Sequence, residues 1–157
     1  MPSKAPPRQR ARPSLDLGPL ADAPSFKIRR TQVVVVQDFA AKTLKLGVLM
    51  WQFAILTLVQ RNPGASQLQL CAAIGLDKSS LTLVVQQLER RGLIKRVRHA
   101  HDRRRNELTL TPKGAAVLTR LGRIARAHEA RIAGALAPGE MAQLIDMLDR
   151  IFAALRR

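Results

Sequence analysis

The chain has 157 residues, 46% of them apolar, enough for one core or one core plus an interface but not for two independent domains. Its 27 Lys and Arg against 11 Asp and Glu leave a net charge of +16, which calls for an anionic partner: nucleic acid, lipid headgroups or a polyanionic small molecule. A single cysteine excludes an internal disulfide, and without an apolar leader or membrane-length run the expected compartment is a reducing cytoplasm, with no membrane partner.

Residues 1–25 hold six of the nine prolines together with Lys4, Arg8, Arg10 and Arg12. Proline at that density cannot propagate a helix or a sheet ladder, so this stretch is expected to be a disordered basic arm, free to touch DNA or a ligand. From Phe26 the texture changes. Apolar residues recur at helical spacing over residues 27–46, 48–61, 66–74, 77–91, 112–134 and 138–155, with one strand pair between the fourth and fifth helices. Pro63 and Gly64 stop the second helix, and Ser66 is placed to cap the third. Asp77 caps the fourth and Gly92 closes it, while Thr111 followed by Pro112 marks the start of the fifth.

Residues 67–90 carry a helix-turn-helix pattern. Cys71 and Gly75 stand four apart, a small residue against the second helix and then a glycine in the turn, and Leu81, Val84, Val85 and Leu88 form the buried side of the fourth helix. Ser79, Thr82, Leu83, Gln86 and Arg90 fall on its opposite face. There, hydroxyls and amides are expected to reach base edges in a major groove, Leu83 can meet a thymine methyl, and Lys78 and Arg90 suit phosphates. Ser80, in the same first turn, belongs to that candidate set. A merely solvated helix face is the bland alternative, and the adjoining stretch of chain disfavours it: residues 90–105, RRGLIKRVRHAHDRRR, hold eight Lys and Arg against Asp102 alone. Leu108 and Leu110 alternate with Glu107 and Thr109 as a half-buried strand should, so HAHDRRR becomes the tip of a basic hairpin, a wing, with Arg98, Asp102, Arg103, Arg104 and Arg105 as further DNA contacts.

This order of helix, helix-turn-helix, wing and two long helices resembles the MarR family of winged-helix transcriptional regulators. The motifs that carry the likeness are LDKSSLT at 76–82, LERRGLI at 88–94, DRR at 102–104 and LTLTPKG at 108–114, within a resemblance covering residues 30–155. It implies a mainly α fold with a small β-wing, a winged helix-turn-helix over 48–111 and a helical dimerisation region made of 26–47 and 112–157. It also implies a homodimer whose winged helices each bind one half-site of double-stranded operator DNA, and an Asp102 that pairs with Arg104 and aims it into the minor groove. Leu83 and Gln86 stand where many relatives carry Arg and Asp, so those relatives' base contacts do not transfer.

The last helix supports dimerisation on its own terms. Met141, Leu144, Ile145, Leu148, Ile151, Phe152 and Leu155 form one apolar stripe, to which the first helix adds Val33, Val36, Phe39 and Ala40. Regulators of this architecture resemble one another in holding a small effector between bundle and winged helix, and residues 26–46 look like those of regulators responding to aromatic acids or hydroxycinnamoyl-CoA. That resemblance implies a repressor released by an aromatic acid or its CoA thioester, with Arg29, Arg30, Phe39, Trp51, Phe53 and His128 as effector-binding candidates. As a core residue, His128 would instead be expected to carry a hydrogen bond.

Other chemistry is weaker. Cys71 is placed as a buried thiol rather than a redox sensor. His99 and His101 beside Asp102 lack a thiolate or fourth ligand, so no metal is expected, and no cofactor. With no tyrosine, no GxSxG and no phosphate loop, a catalytic constellation cannot be assembled. The competing reading is an architectural DNA-binding protein without sequence preference.

Overall fold

The computed structural model describes residues 15–98 and 106–156. The chain divides into two compact units, Met1–Val35 and Val36–Arg157, and helix α1 (Pro24–Thr43) runs across the division. In the first unit a 3-10 turn, Gly18–Asp22, and the start of α1 at Pro24 lie inside the stretch expected as a disordered arm. Here Pro19 and Pro24 occupy first-turn positions, where a missing N–H costs nothing and the fixed φ favours helix.

The second unit takes its elements in the order expected: α2 (Met50–Arg61), α3 (Gln67–Ile74), α4 (Lys78–Arg90), β1 (Ile94–Arg98), β2 (Asn106–Leu110), α5 (Pro112–Ala133) and α6 (Glu140–Leu155). The first helix stops three residues short of its expected end. Thr43, its side chain buried, turns its hydroxyl back to the carbonyls of Phe39 and Ala40, and a 3-10 turn at Leu44–Leu46 leads into Gly47.

The caps form as their residue types require. The Ser66 hydroxyl accepts the Gln69 N–H at 3.2 Å while the Gln69 side chain accepts the Ser66 N–H at 2.9 Å, a reciprocal box. Asp77 accepts the Ser80 N–H at 2.9 Å, and Thr111 accepts the Gly114 N–H at 3.0 Å. Each such cap is worth about 1 kcal/mol. Gly75 takes φ 76° between α3 and α4, whose axes bend by 108° across it. Residues with a Cβ avoid that left-handed backbone, which is why glycine stands there.

The core of this unit lies under the helix-turn-helix. Ile55, Leu56, Leu81, Val85, Leu88 and Leu121 are fully buried, with Val48, Leu70, Leu93, Ile94 and Leu108 nearly so. The two strands pair antiparallel with Ile94 opposite Leu110 and Arg98 opposite Asn106, so the wing's root is tied to the core through Ile94 and Leu108. Gly114 sits hard against the wing's base: a Cβ there would fall 1.9 Å from the Leu93 carbonyl oxygen. Helix α6 differs from the rest. None of its residues is buried, and Ile145, Leu148, Ile151, Phe152 and Leu155 keep 40–77% of their surface exposed.

Candidate nucleic-acid interface

Helix α4 divides cleanly. Leu81, Val85 and Leu88 fill the core, and the outward face presents Lys78, Ser79, Leu83, Gln86 and Arg90, all exposed. Two of the residues expected on that face are already engaged. The Ser80 hydroxyl donates to Asp77 at 2.6 Å, and the Thr82 hydroxyl donates to the Lys78 carbonyl at 2.8 Å. The hydroxyl and the backbone N–H of Ser80 together hold the Asp77 carboxyl below its ordinary range. Ser80 thus serves the start of the helix, and the polar groups left facing outward are those of Lys78, Ser79, Gln86 and Arg90. Among the described residues, Arg90 Nε makes a single long contact, 3.4 Å to the Gln86 carbonyl.

Beside this face, β1 carries exposed Lys95 and Arg96, with Arg96 paired to Glu89 at 3.1 Å. Arg98 ends that strand with its backbone opposite Asn106. Asp102, Arg103, Arg104 and Arg105 lie outside the described residues, as do His99 and His101. One cation of the basic run points inward: the Arg91 guanidinium donates to the carbonyls of Leu46 at 2.7 Å and Gly47 at 2.5 Å. Those carbonyls end a 3-10 turn and have no helical partner, which makes them acceptors for a fork of donors. Lys113 in turn donates to the Arg91 carbonyl at 2.8 Å. Behind α4, Gln52, 4% exposed, receives the Leu49 N–H at 3.1 Å and donates to Gln87 at 3.1 Å. The Arg91 and Gln52–Gln87 pairings join residues 35 to 45 apart in sequence, and no local pattern announces them.

The effector candidates separate into groups. Phe39 is 2% exposed and packs 5.8 Å from the Phe53 ring and 5.5 Å, edge-on, from His128. Phe39 therefore fills the subunit's interior instead of extending an outward dimer stripe. His128, also 2% exposed, places Nδ1 2.7 Å from Asp38. Its Nε2 is buried and has no hydrogen-bond partner among the described residues. Asp38 is a hub: Lys42 bonds it at 2.7 Å, and Arg131 also donates to it. Lys42 first, then His128 and Arg131, hold its carboxyl well below the ordinary carboxylate range. No motif in the sequence marks Asp38, although it is the sole acid between Asp22 and Asp77 and so the one available counter-ion in that stretch. Trp51 does not join the cluster. Two positions before Phe53 on α2, it points away, 40% exposed. In the first unit, Arg29 and Arg30 are exposed; Arg29 bonds Gln32 at 3.4 Å and Arg30 lies 5.6 Å from the Phe26 ring.

Two helices crossing at a glycine turn, a capped second helix with a polar outward face and a two-stranded wing beside it define a winged helix-turn-helix DNA-binding protein. The MarR family profile matches residues 46–105. A protein of Thauera aromatica assigned as transcriptional regulator of the hcr operon is 35% identical over 136 residues, covering 86% of this chain and 82% of that one. The chain belongs to the MarR family of transcriptional regulators. Its fold is also similar to that of the repressor CouR bound to a 23-mer DNA duplex, with TM-score 0.80, 32% identity and coverage of 88% and 98% of the two chains. CouR bound to p-coumaroyl-CoA matches with TM-score 0.80 and 29% identity, over 92% and 100%. PcaV of Streptomyces coelicolor with its natural ligand gives TM-score 0.80 and 31% identity, over 89% and 99%. The protein is a DNA-binding transcriptional regulator, and its relatives are regulators rather than enzymes.

Proposed function

We propose that the protein is a cytoplasmic, homodimeric repressor that leaves its operator when it binds an aromatic acid in the form of its CoA thioester. The dimer rests on α6, whose apolar stripe its own subunit leaves 40–77% exposed at Ile145, Leu148, Ile151, Phe152 and Leu155. Residues 26–47 and 112–157 are assigned to that assembly and 48–111 to DNA. Lys78, Ser79, Gln86, Arg90 and the wing residues Arg98, Asp102, Arg103, Arg104 and Arg105 contact the duplex, with Ser80 and Thr82 holding the helix that presents them.

The observation that carries the effector reading is the buried His128 Nε2, a hydrogen-bonding atom without a partner among the described residues, beside the Phe39 and Phe53 rings. An aromatic ring bearing a polar substituent matches that chemistry, since a buried imidazole nitrogen left unpaired costs roughly 1–3 kcal/mol. CouR's binding of p-coumaroyl-CoA supports the thioester. Arg29, Arg30 and exposed Trp51 are further effector contacts on the family likeness alone, the two arginines as cations suited to a polyanionic nucleotide. Effector binding releases DNA only insofar as the ligand prefers a dimer with the wrong spacing of recognition helices.

Calorimetry tests this by titrating p-coumarate and p-coumaroyl-CoA separately into wild type and into an Arg29→Ala/Arg30→Ala double variant. Tight binding of the thioester, lost in the double variant, is the expected result. Equal binding of the free acid would reduce the reading to an aromatic-acid sensor, and no heat from either would overturn it.

A further inference from the structure

We propose that Leu83 reads a thymine methyl in each operator half-site and that Gln86, one turn along, reads an adenine in a neighbouring base pair. This rests on the reading that α4 enters the major groove. Leu83 is 59% exposed on a helix whose other aliphatic side chains are completely buried at 81, 85 and 88 and half-buried at Val84. Its neighbours on the same face are Lys78, Ser79, Gln86 and Arg90, all polar or charged, and they leave it open to solvent. A leucine can neither donate nor accept a hydrogen bond, and the apolar feature on base edges in the major groove is the C5 methyl of thymine.

Three neighbouring polar side chains of α4 are already engaged. Ser80 and Thr82 spend their hydroxyl hydrogens within the first turn of α4, and Gln87 accepts from buried Gln52. The Gln86 amide makes no hydrogen bond among the described residues, and carries the donor and acceptor that match adenine N6 and N7. Three residues of helix advance about 4.5 Å, against about 3.4 Å between successive bases. Leu83 and Gln86 therefore address adjacent pairs. Leu81, Val85 and Leu88, packed in the core, set the rotation of α4 that holds both outward.

The test uses the full-length protein and a duplex recovered by repeated selection from a random-core library. Each thymine is replaced in turn by deoxyuridine, which removes only the methyl group. One thymine per half-site is expected at which uracil weakens wild-type binding about fourfold, as loss of one buried methyl-sized group implies. Leu83→Ala, an exposed change that leaves circular dichroism unaltered, is expected to show that loss already on the thymine duplex and no further loss with uracil. Placing 5-methylcytosine there should lose less than placing cytosine, for wild type alone, and Gln86→Ala should relax the preference for adenine at the adjacent pair. If no thymine methyl matters, or if Leu83→Ala still distinguishes thymine from uracil, the Leu83 assignment is wrong. If Leu83→Ala, Gln86→Ala and Arg90→Ala all bind the selected duplex as wild type does, the placement of α4 in the groove fails as well. Selection that yields no preferred duplex would overturn both.

Discussion

Gly114 and Gly122 lie on the same helix, eight residues apart, yet their substitutions should act in opposite directions. A Cβ at 114 would overlap the backbone carbonyl of Leu93 at 1.9 Å, whereas one at 122 meets the end of the Arg126 side chain at 3.7 Å. Gly114→Ala is expected to lower stability by roughly 1–3 kcal/mol, the usual cost of forcing volume into a packed site. Gly122→Ala should gain about 0.5–1 kcal/mol from helix propensity alone. Urea midpoints of the two variants check this, and a neutral Gly114→Ala would mean that α5 does not press on the wing's base. Asp38 has a signature of its own. Because Lys42, His128 and Arg131 depress its pKa in the fold, the unfolded chain takes up protons first as pH falls. The stability it contributes is thus fully present above the unfolded carboxylate value of about 3.9 and declines as pH drops toward the lowered folded value. Asp38→Asn should cost stability at pH 6, and the gap from wild type should narrow steadily between pH 4 and pH 2.5; a gap that stayed constant would show that the carboxylate's charge is not what these partners use.

At the scale of elements, the wing has its predicted strands, and its tip is reached through function. If Arg104 enters the minor groove, Arg104→Ala should weaken binding to the selected duplex by roughly 1–3 kcal/mol with an unchanged melting temperature. Asp102→Ala should do part of the same damage by freeing the arginine, and normal binding by Arg104→Ala at physiological salt would misplace the tip. Helices and strands were legible because each boundary carries its own local chemistry: Ser66, Asp77 and Thr111 supply cap oxygens, Gly75 supplies left-handed backbone, and the 3.6 and 2.0 periods of the apolar residues separate α4 from β2. The end of α1 was not legible, since Thr43 turning its hydroxyl onto the preceding turn looks in sequence like any helical threonine. Nor were the polar ties. Arg91 reads as one more surface cation until the fold brings it against the Leu46 and Gly47 carbonyls, and the Asp38 cluster needs α1 and α5 side by side. Ser80 and Thr82, expected among the base contacts, also close local bonds that the sequence does not announce, one to the Asp77 carboxylate and one to the Lys78 carbonyl.

For the whole molecule, the decisive feature is an apolar stripe that one chain leaves about half exposed. Two copies of α6 laid together would bury Ile145, Leu148, Ile151, Phe152 and Leu155, each now 40–77% exposed, and would set two winged helices at a fixed separation. Two recognition helices so held match half-sites about 10 bp apart on one face of the duplex, and the net charge of +16 makes the binding steeply salt-dependent. Leu148 is the residue to test, since at 43% exposed a charge there is tolerable in a lone subunit and intolerable in a closed seam. Leu148→Asp places one unpaired carboxylate from each chain in the seam; at about 3 kcal/mol apiece the dimer would weaken by roughly four orders of magnitude. Sedimentation at micromolar concentration should show a dimeric wild type and a monomeric Leu148→Asp of undiminished helicity, with operator affinity falling to that of a single half-site. A wild type that sediments as a folded monomer would remove the basis for two coupled half-sites, and a variant that stays dimeric would move the interface off α6.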